Sequence, residues 1–161
     1  MKALSGARAE DVQSIDAIVA ALYDVISGPP GERDWERDRH LFLPQARLIR
    51  TGKKPDGSVR CQVMTVDEFA ADAAPILEKG FYENEIARTT EVFGNIAHAF
   101  STYESRYRPQ EAPFARGINS IQLMHDGQRW WVTAMVWDAE RGDNAIPSRY
   151  LPRLPAKERH S

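Results

Sequence analysis

The chain has 161 residues, 42% hydrophobic and 27% charged, which predicts one globular domain with a substantial core. Its formal charge of -2 offers no polycationic surface for nucleic acid, and its single cysteine, Cys61, excludes an intrachain disulfide or a cysteine-based zinc site. The N-terminus lacks the apolar core of a secretion signal, and the longest apolar run, 17–23, is too short to cross a bilayer, so we expect a cytoplasmic protein without a membrane partner.

Two helices are predicted first along the chain. Apolar residues recur every three or four positions over 11–27, which indicates an amphipathic helix. The glycines and prolines of 28–31 end it. A short second helix is predicted to begin after Asp34, as its N-cap, and to end before Pro44.

A small hairpin and a third helix follow. Strands are predicted at 47–51 and 59–64, joined by a proline- and glycine-containing turn at 55–57. Thr65 and Glu68 then form a capping-box pattern. This pattern predicts that the third helix begins at the next residue after Thr65.

The segment 81–138 is typical of four long strands in two hairpins. Gly94-Asn95 and Asp126-Gly127 are two-residue turns between alternating apolar and polar residues. The order of elements predicts an α+β domain with a curved antiparallel sheet, made of the small hairpin plus four long strands, and three N-terminal helices packed on one of its faces. The expected organisation is a disordered N-terminal segment at 1–10, the domain at 11–140 and a proline-containing C-terminal tail at 141–161.

Three segments carry a resemblance to a known family: 41–47 after the second helix, 93–97 around the first long turn, and 127–131 at the start of the last strand. On these landmarks the chain resembles the nuclear transport factor 2-like superfamily, which includes SnoaL-like polyketide cyclases, ketosteroid isomerase and scytalone dehydratase. The resemblance implies a cone-shaped sheet with the three helices on its concave face. It also implies a homodimer associated through the sheet and a pocket that works without a cofactor. Because the superfamily also contains non-catalytic modules, it does not by itself imply an enzyme.

The last hairpin sorts its residues into two faces. If Asp126-Gly127 is the turn, Gln122 pairs with Trp131 and shares its face. This face combines aromatic, methionine and small polar side chains, which is typical of ligand pockets, although the aromatics would also suit core packing. The candidate ligand-binding residues on it are Ser120, Gln122, Trp131, Met135 and Trp137.

The other long hairpin offers an acid–base pair. With Gly94-Asn95 as the turn, Glu91 lies opposite His98, where a carboxylate can orient an imidazole for catalysis. An ordinary exposed ion pair is the alternative. Tyr23 lies late in the first helix, where ketosteroid isomerase carries a tyrosine that donates to an oxyanion, so the resemblance implies a third catalytic candidate. A core tyrosine is the alternative there.

The likeness to ketosteroid isomerase is incomplete, because the strand at 46–50 has no carboxylate where the isomerase has its general base. Arg50 at the rim of a pocket would instead suit an anionic ligand.

Glu83 and Glu85 are interpreted as a solvated charge ladder, and no histidine has metal-ligand spacing, so no metal site is expected. We therefore expect a pocket for a small apolar or anionic molecule, serving as an isomerase, dehydratase or cyclase, or alternatively as a non-catalytic ligand-binding or protein-association module.

Overall fold

The computed structural model describes residues 7–154. A 3-10 helix (Ala9–Val12) is followed by α1 (Ile15–Ile26), α2 (Trp35–Leu41), β1 (Phe42–Lys53), β2 (Val59–Met64), α3 (Val66–Leu77), β3 (Tyr82–Phe93), β4 (Ile96–Arg106), β5 (Ala115–His125), β6 (Trp130–Ala139) and a second 3-10 helix (Ser148–Tyr150). The six strands form one curved sheet in the order β2-β1-β6-β5-β4-β3. The predicted α+β cone is confirmed.

Capping side chains determine where the helices begin. The carboxylate of Asp34 accepts from the Arg37 amide at 3.0 Å, and Thr65 and Glu68 form both hydrogen bonds of the capping box, at 3.1 and 3.2 Å. The predicted starts of α2 and α3 are therefore confirmed. The start of α1 lies later than predicted, because the Ser14 hydroxyl caps it by accepting from an amide three residues on.

The first long hairpin has the predicted register. Phe93 pairs with Ile96 across Gly94-Asn95, and Gly94 takes the positive φ, 54°, that the tight turn requires. Further down the ladder a register shift occurs between Glu85 and Ala87. Because side chains alternate along a strand, one extra residue exchanges the two faces of β3 beyond this point.

The second long hairpin differs from the prediction. The Asp126 amide bonds to the Arg129 carbonyl at 3.1 Å, so Gly127 and Gln128 form the tip of the turn, one residue later than expected. A second register shift follows, where Leu123 pairs with Val132 but Gln122 pairs with Ala134. This shift exchanges the faces of β6 relative to β5 over the rest of the hairpin.

The small hairpin joins the long strands through one parallel pairing. β1 extends over twelve residues and pairs in parallel with β6, while every other strand pair is antiparallel. The helices cover the concave face of the sheet and enclose the core with it. The largest side chains buried there include Ile18, Leu41, Leu48, Ile121 and Val132.

A buried arginine connects the ends of α1 and α3. Arg33 is 8% exposed, and its guanidinium donates to five backbone carbonyls at 2.6 to 3.1 Å. The acceptors are Ile26, Gly28, Pro29, Gly31 and Leu77. One side chain thus satisfies carbonyls at the C-terminal ends of both helices, where intrahelical donors are missing.

The tail packs on the convex side of the sheet, here called the outer face. Thr102 donates to the Tyr150 carbonyl at 2.6 Å, and the Tyr150 ring meets Phe100 edge-on at 5.0 Å. Residues 1–6 and 155–161, parts of the predicted disordered segment and of the tail, lie outside the described residues. No helix within the described part of the chain is long and apolar enough to span a membrane.

Candidate functional site

A cavity of ≈ 220 Å³ lies between the helices and the concave face of the sheet. Its wall is mostly apolar and includes Leu22, Phe42, Phe69, Leu77, Phe81 and Trp137. Pockets for drug-sized ligands commonly measure about 300–1,000 Å³, so this cavity suits a smaller molecule. Polar and ionisable side chains also line it, namely Tyr23, Asp38, Arg50, Glu83, Tyr103 and Asn119.

Tyr23 belongs to a buried chain of hydroxyl groups. Its oxygen lies 2.6 Å from the Ser101 hydroxyl and accepts from the Asn119 amide at 3.1 Å. Because Ser101 donates its only hydroxyl proton to Glu85, the Tyr23 proton must go to Ser101. Burial raises the pKa of Tyr23, so the phenol stays neutral. The Tyr23 hydroxyl therefore donates its proton within the protein and has none left for a ligand.

Tyr103 is the second phenol of the cavity wall. It is 6% exposed, and burial raises its pKa above the ordinary value. Among residues 7–154 its hydroxyl has no hydrogen-bond partner. The hydroxyl lies over Gly117, where a β-carbon would be 2.3 Å away. The absence of a side chain at 117 thus leaves room for a phenol that can still donate to a ligand.

Glu83 is a carboxyl group in the cavity wall whose pKa lies near neutral pH. Its carboxylate accepts from the Ser105 hydroxyl at 2.9 Å and is half-buried in the cavity wall. Burial raises its pKa to about 7, against the opposing effect of hydrogen bonds from Ser105 and Asn119. A carboxyl with such a pKa can both take up and release a proton at neutral pH.

Asp38 is a second carboxyl in the cavity wall. It is 3% exposed, and its Oδ2 atom has no hydrogen-bond partner among the described residues. Burial raises its pKa to about 7, with Arg39 acting in the opposite direction. Buried polar groups are nearly always paired, so this atom is an exception that requires an explanation.

Arg50 lies at another part of the wall, and its charge is already balanced. Its Nη1 atom donates to Gln62 and to the Asp72 carboxylate, both at 2.8 Å. The guanidinium lies 5.7 Å from the centre of the Trp137 ring. Within residues 7–154, no group of three or more histidine, cysteine, aspartate or glutamate side chains is arranged to hold a metal ion.

The geometry has several counterparts among solved structures. A cystatin-like protein of unknown function from Nostoc punctiforme is 11% identical, with a TM-score of 0.61 over 80% of this chain and 90% of that chain. An NTF2-like protein of unknown function from Silicibacter pomeroyi is 19% identical, with a TM-score of 0.50 over 78% and 92%. A protein from Shewanella frigidimarina, provisionally assigned as a ketosteroid isomerase, is 14% identical, with a TM-score of 0.51 over 75% and 91%.

The chain has the nuclear transport factor 2-like fold. No protein-family model and no curated protein sequence matches it. At these identities the structural likeness establishes the fold and leaves the activity open. The function must therefore be argued from the residues of the NTF2-like cavity.

Four of the sequence-predicted residues line this cavity, namely Tyr23, Arg50, Met135 and Trp137. Glu91 and His98, the predicted acid–base pair, do not line this cavity. They pair at 3.3 Å as the register requires, but their side chains are 73% and 52% exposed. The buried alanines at 97 and 99 occupy the inward positions of β4, so His98 points to the outer face.

Ser120, Gln122 and Trp131 also lie outside the cavity lining, contrary to expectation. Ser120 and Gln122 pair with Val136 and Ala134, while the inward positions of β5 are the buried residues on either side of them. The shift in the β5–β6 register separates these residues from Met135 and Trp137. Trp131 instead donates to Asp126 at 2.8 Å in the loop.

Sequence reasoning missed Asp38, Glu83, Tyr103 and Asn119. The register shift in β3 decides the orientation of Glu83, which pairs with Ser105 instead of Arg106. Without that shift Glu83 would face outward, as the charge-ladder interpretation assumed. The presence of a glycine at 117 opposite a tyrosine was the available signal for the Tyr103 side of the cavity.

Proposed function

We propose that the cavity binds a small, mostly apolar carbonyl compound and that Glu83 moves a proton on it without a cofactor. The observation that carries this proposal is the Glu83 carboxyl in an apolar cavity, with a pKa of about 7. Carboxyls shifted in this way by burial are typical of acid–base sites. Isomerases, dehydratases and cyclases that act on carbonyl compounds can all begin with such a proton transfer.

The proposed step is removal of a proton from the carbon beside the carbonyl. The Glu83 carboxylate takes the proton, the C–H electron pair forms the new C=C bond, and the carbonyl π pair moves to the oxygen to give an enolate. Tyr103 is the phenol in the cavity wall with a free proton to donate to that oxygen, since the Tyr23 proton is held by Ser101. In a β,γ-unsaturated ketone, return of the proton from Glu83 to the γ-carbon moves the double bond and isomerises the compound. In a β-hydroxy ketone, the enolate electron pair expels the hydroxyl, which takes the proton from Glu83 and leaves as water.

Hydrogen–deuterium exchange tests this step without knowledge of the natural substrate. Cyclohexanone, which is small enough for the cavity, is incubated with the protein in D₂O, and deuterium at the α-carbon is followed by NMR. We expect exchange above the buffer rate that falls by about 100-fold in Glu83→Gln, since general-base groups commonly contribute 10²–10⁴-fold. The exposed Glu36→Gln on α2 is the matched control and should exchange as the wild type does.

Equal exchange in the wild type and Glu83→Gln would refute the role of Glu83. Ketone binding seen as NMR shifts of cavity residues, with no exchange above buffer, would refute catalysis. That result would favour the alternative, a module that binds a small molecule without turning it over.

We also propose that two copies associate through the outer face of the sheet. Ile118 and Val136 are half-buried on that face, and Phe93 and Ile96 near the β3–β4 turn are 84% and 62% exposed. Exposed apolar side chains of this kind support an interface between copies. Light scattering after size exclusion should give a dimer, and Val136→Glu should give a monomer. A monomeric wild type would refute the association.

A further inference from the structure

We propose that Asp38 binds an amino group of the ligand, so that the cavity takes a small apolar amine. The inference rests on the proposed function in one respect, that the cavity is the ligand site. If both hold, the substrate class narrows to amino-substituted carbonyl compounds.

The unpaired oxygen of Asp38 is the observation behind this inference. Asp38 is 3% exposed, lines the cavity and leaves Oδ2 without a partner among residues 7–154. An isolated buried carboxyl is costly unless it is neutral or meets a donor. A ligand ammonium supplies both a positive charge and several N–H donors at the atom that lacks them.

The other polar groups of the cavity are already engaged or suit other partners. Glu83 accepts from Ser105, and Arg50 donates to Asp72 and Gln62. An anionic ligand would compete with Asp72 for Arg50, and it would have to enter a cavity with two carboxyls. A cationic group meets no such competition at Asp38.

Charged and ionisable groups from several elements surround Asp38. Arg39 on α2 and Asp67 on α3 act on it with opposite signs and form an ion pair with each other at 2.9 Å. Across the cavity, the ionisable groups are Glu83, Arg50 and the two phenols, Tyr23 and Tyr103. Both cations named here, Arg39 and Arg50, thus already have a carboxylate partner, which leaves Asp38 for a ligand amine.

Three probes of one shape test the assignment by isothermal titration calorimetry: benzylamine, benzyl alcohol and benzoate. We expect benzylamine to bind most tightly at about pH 8, where Asp38 is ionised, and more weakly at about pH 5. Binding near neutral pH should release a proton, which appears as a dependence of the heat on the buffer. Asp38→Asn should weaken benzylamine by about 10- to 100-fold, as expected for a lost charged hydrogen bond, and leave benzyl alcohol unchanged.

Two further variants separate the role of Asp38 from a change in folding. Asp38→Leu removes the carboxyl while keeping an apolar side chain of similar size, and it should also lose benzylamine binding. The exposed Glu36→Gln, on the same helix, should bind benzylamine as the wild type does. Equal affinity for benzylamine and benzyl alcohol, unchanged binding in Asp38→Asn, or tighter binding of benzoate would each overturn the inference.

The two proposals fail independently. If the wild type does not speed deuterium exchange of cyclohexanone, proton transfer by Glu83 is contradicted. The binding of benzylamine to Asp38 can still be measured by calorimetry in that case. Equal affinity for benzylamine and benzyl alcohol would contradict the role of Asp38, whether or not the protein speeds deuterium exchange of the ketone.

Discussion

The ionisation of Glu83 should make the stability of the protein depend on pH in a defined direction. Its pKa is raised from the usual 4.5 to about 7 in the folded protein, because burial disfavours the charged carboxylate. Folded molecules therefore hold this proton more tightly than unfolded ones. The stabilising effect is fully present below about pH 4.5 and is lost as the pH rises through about 7.

The magnitude follows from the displacement of the pKa. Since each tenfold change in an ionisation constant corresponds to about 1.4 kcal/mol, a displacement from 4.5 to about 7 corresponds to about 3 kcal/mol. Solvent in the cavity screens part of this effect, because Glu83 is only half-buried, so about 2 kcal/mol is the working figure. Glu83→Gln keeps an oxygen that can accept from Ser105 and removes the charge.

Urea unfolding at a series of pH values measures this effect. We expect Glu83→Gln to match the wild type at about pH 4 and to be more stable by about 2 kcal/mol at about pH 8. Asp38 titrates in an overlapping range but is present in both proteins, so the difference between them isolates Glu83. A difference that does not vary with pH would refute the burial of the Glu83 charge, and Glu36→Gln should show no such difference.

Two further variants test structural features that position the cavity. Arg33→Met should lower the free energy of unfolding by about 3 to 5 kcal/mol, because it removes five hydrogen bonds that a buried charged group donates to backbone carbonyls. The exposed Arg39→Met should lower it by less than about 1 kcal/mol. A similar loss in both would contradict the role of Arg33. Gly117→Ala should destabilise the fold by about 1 to 3 kcal/mol and change the near-ultraviolet circular dichroism of the tyrosines, since its β-carbon would lie 2.3 Å from the Tyr103 hydroxyl. Unchanged stability and spectrum would show that this contact is absent.

Local features of the sequence predicted the elements and their order well. The capping residues at Asp34 and Thr65, and the Gly94-Asn95 turn, involve groups only a few residues apart, so their geometry can be inferred from short segments. The pairing of Glu91 with His98 followed directly from that turn. The parallel contact between β1 and β6 joins segments far apart in the chain and had no local signal.

Tertiary structure decided which residues line the cavity. One register shift in β3 turns Glu83 inward, and another in the β5–β6 hairpin brings Met135 and Trp137 to the cavity while Ser120 and Gln122 face away from it. Side chains alternate between the two faces of a strand, so one extra residue exchanges the faces of everything beyond it. The sequence pattern of apolar and polar residues hardly changes at such a point, so it does not reveal the exchange. Local sequence was enough to predict the cone and the Gly94-Asn95 turn. The positions of the register shifts, set by how the whole sheet packs on the helices, decided which carboxyls the cavity contains.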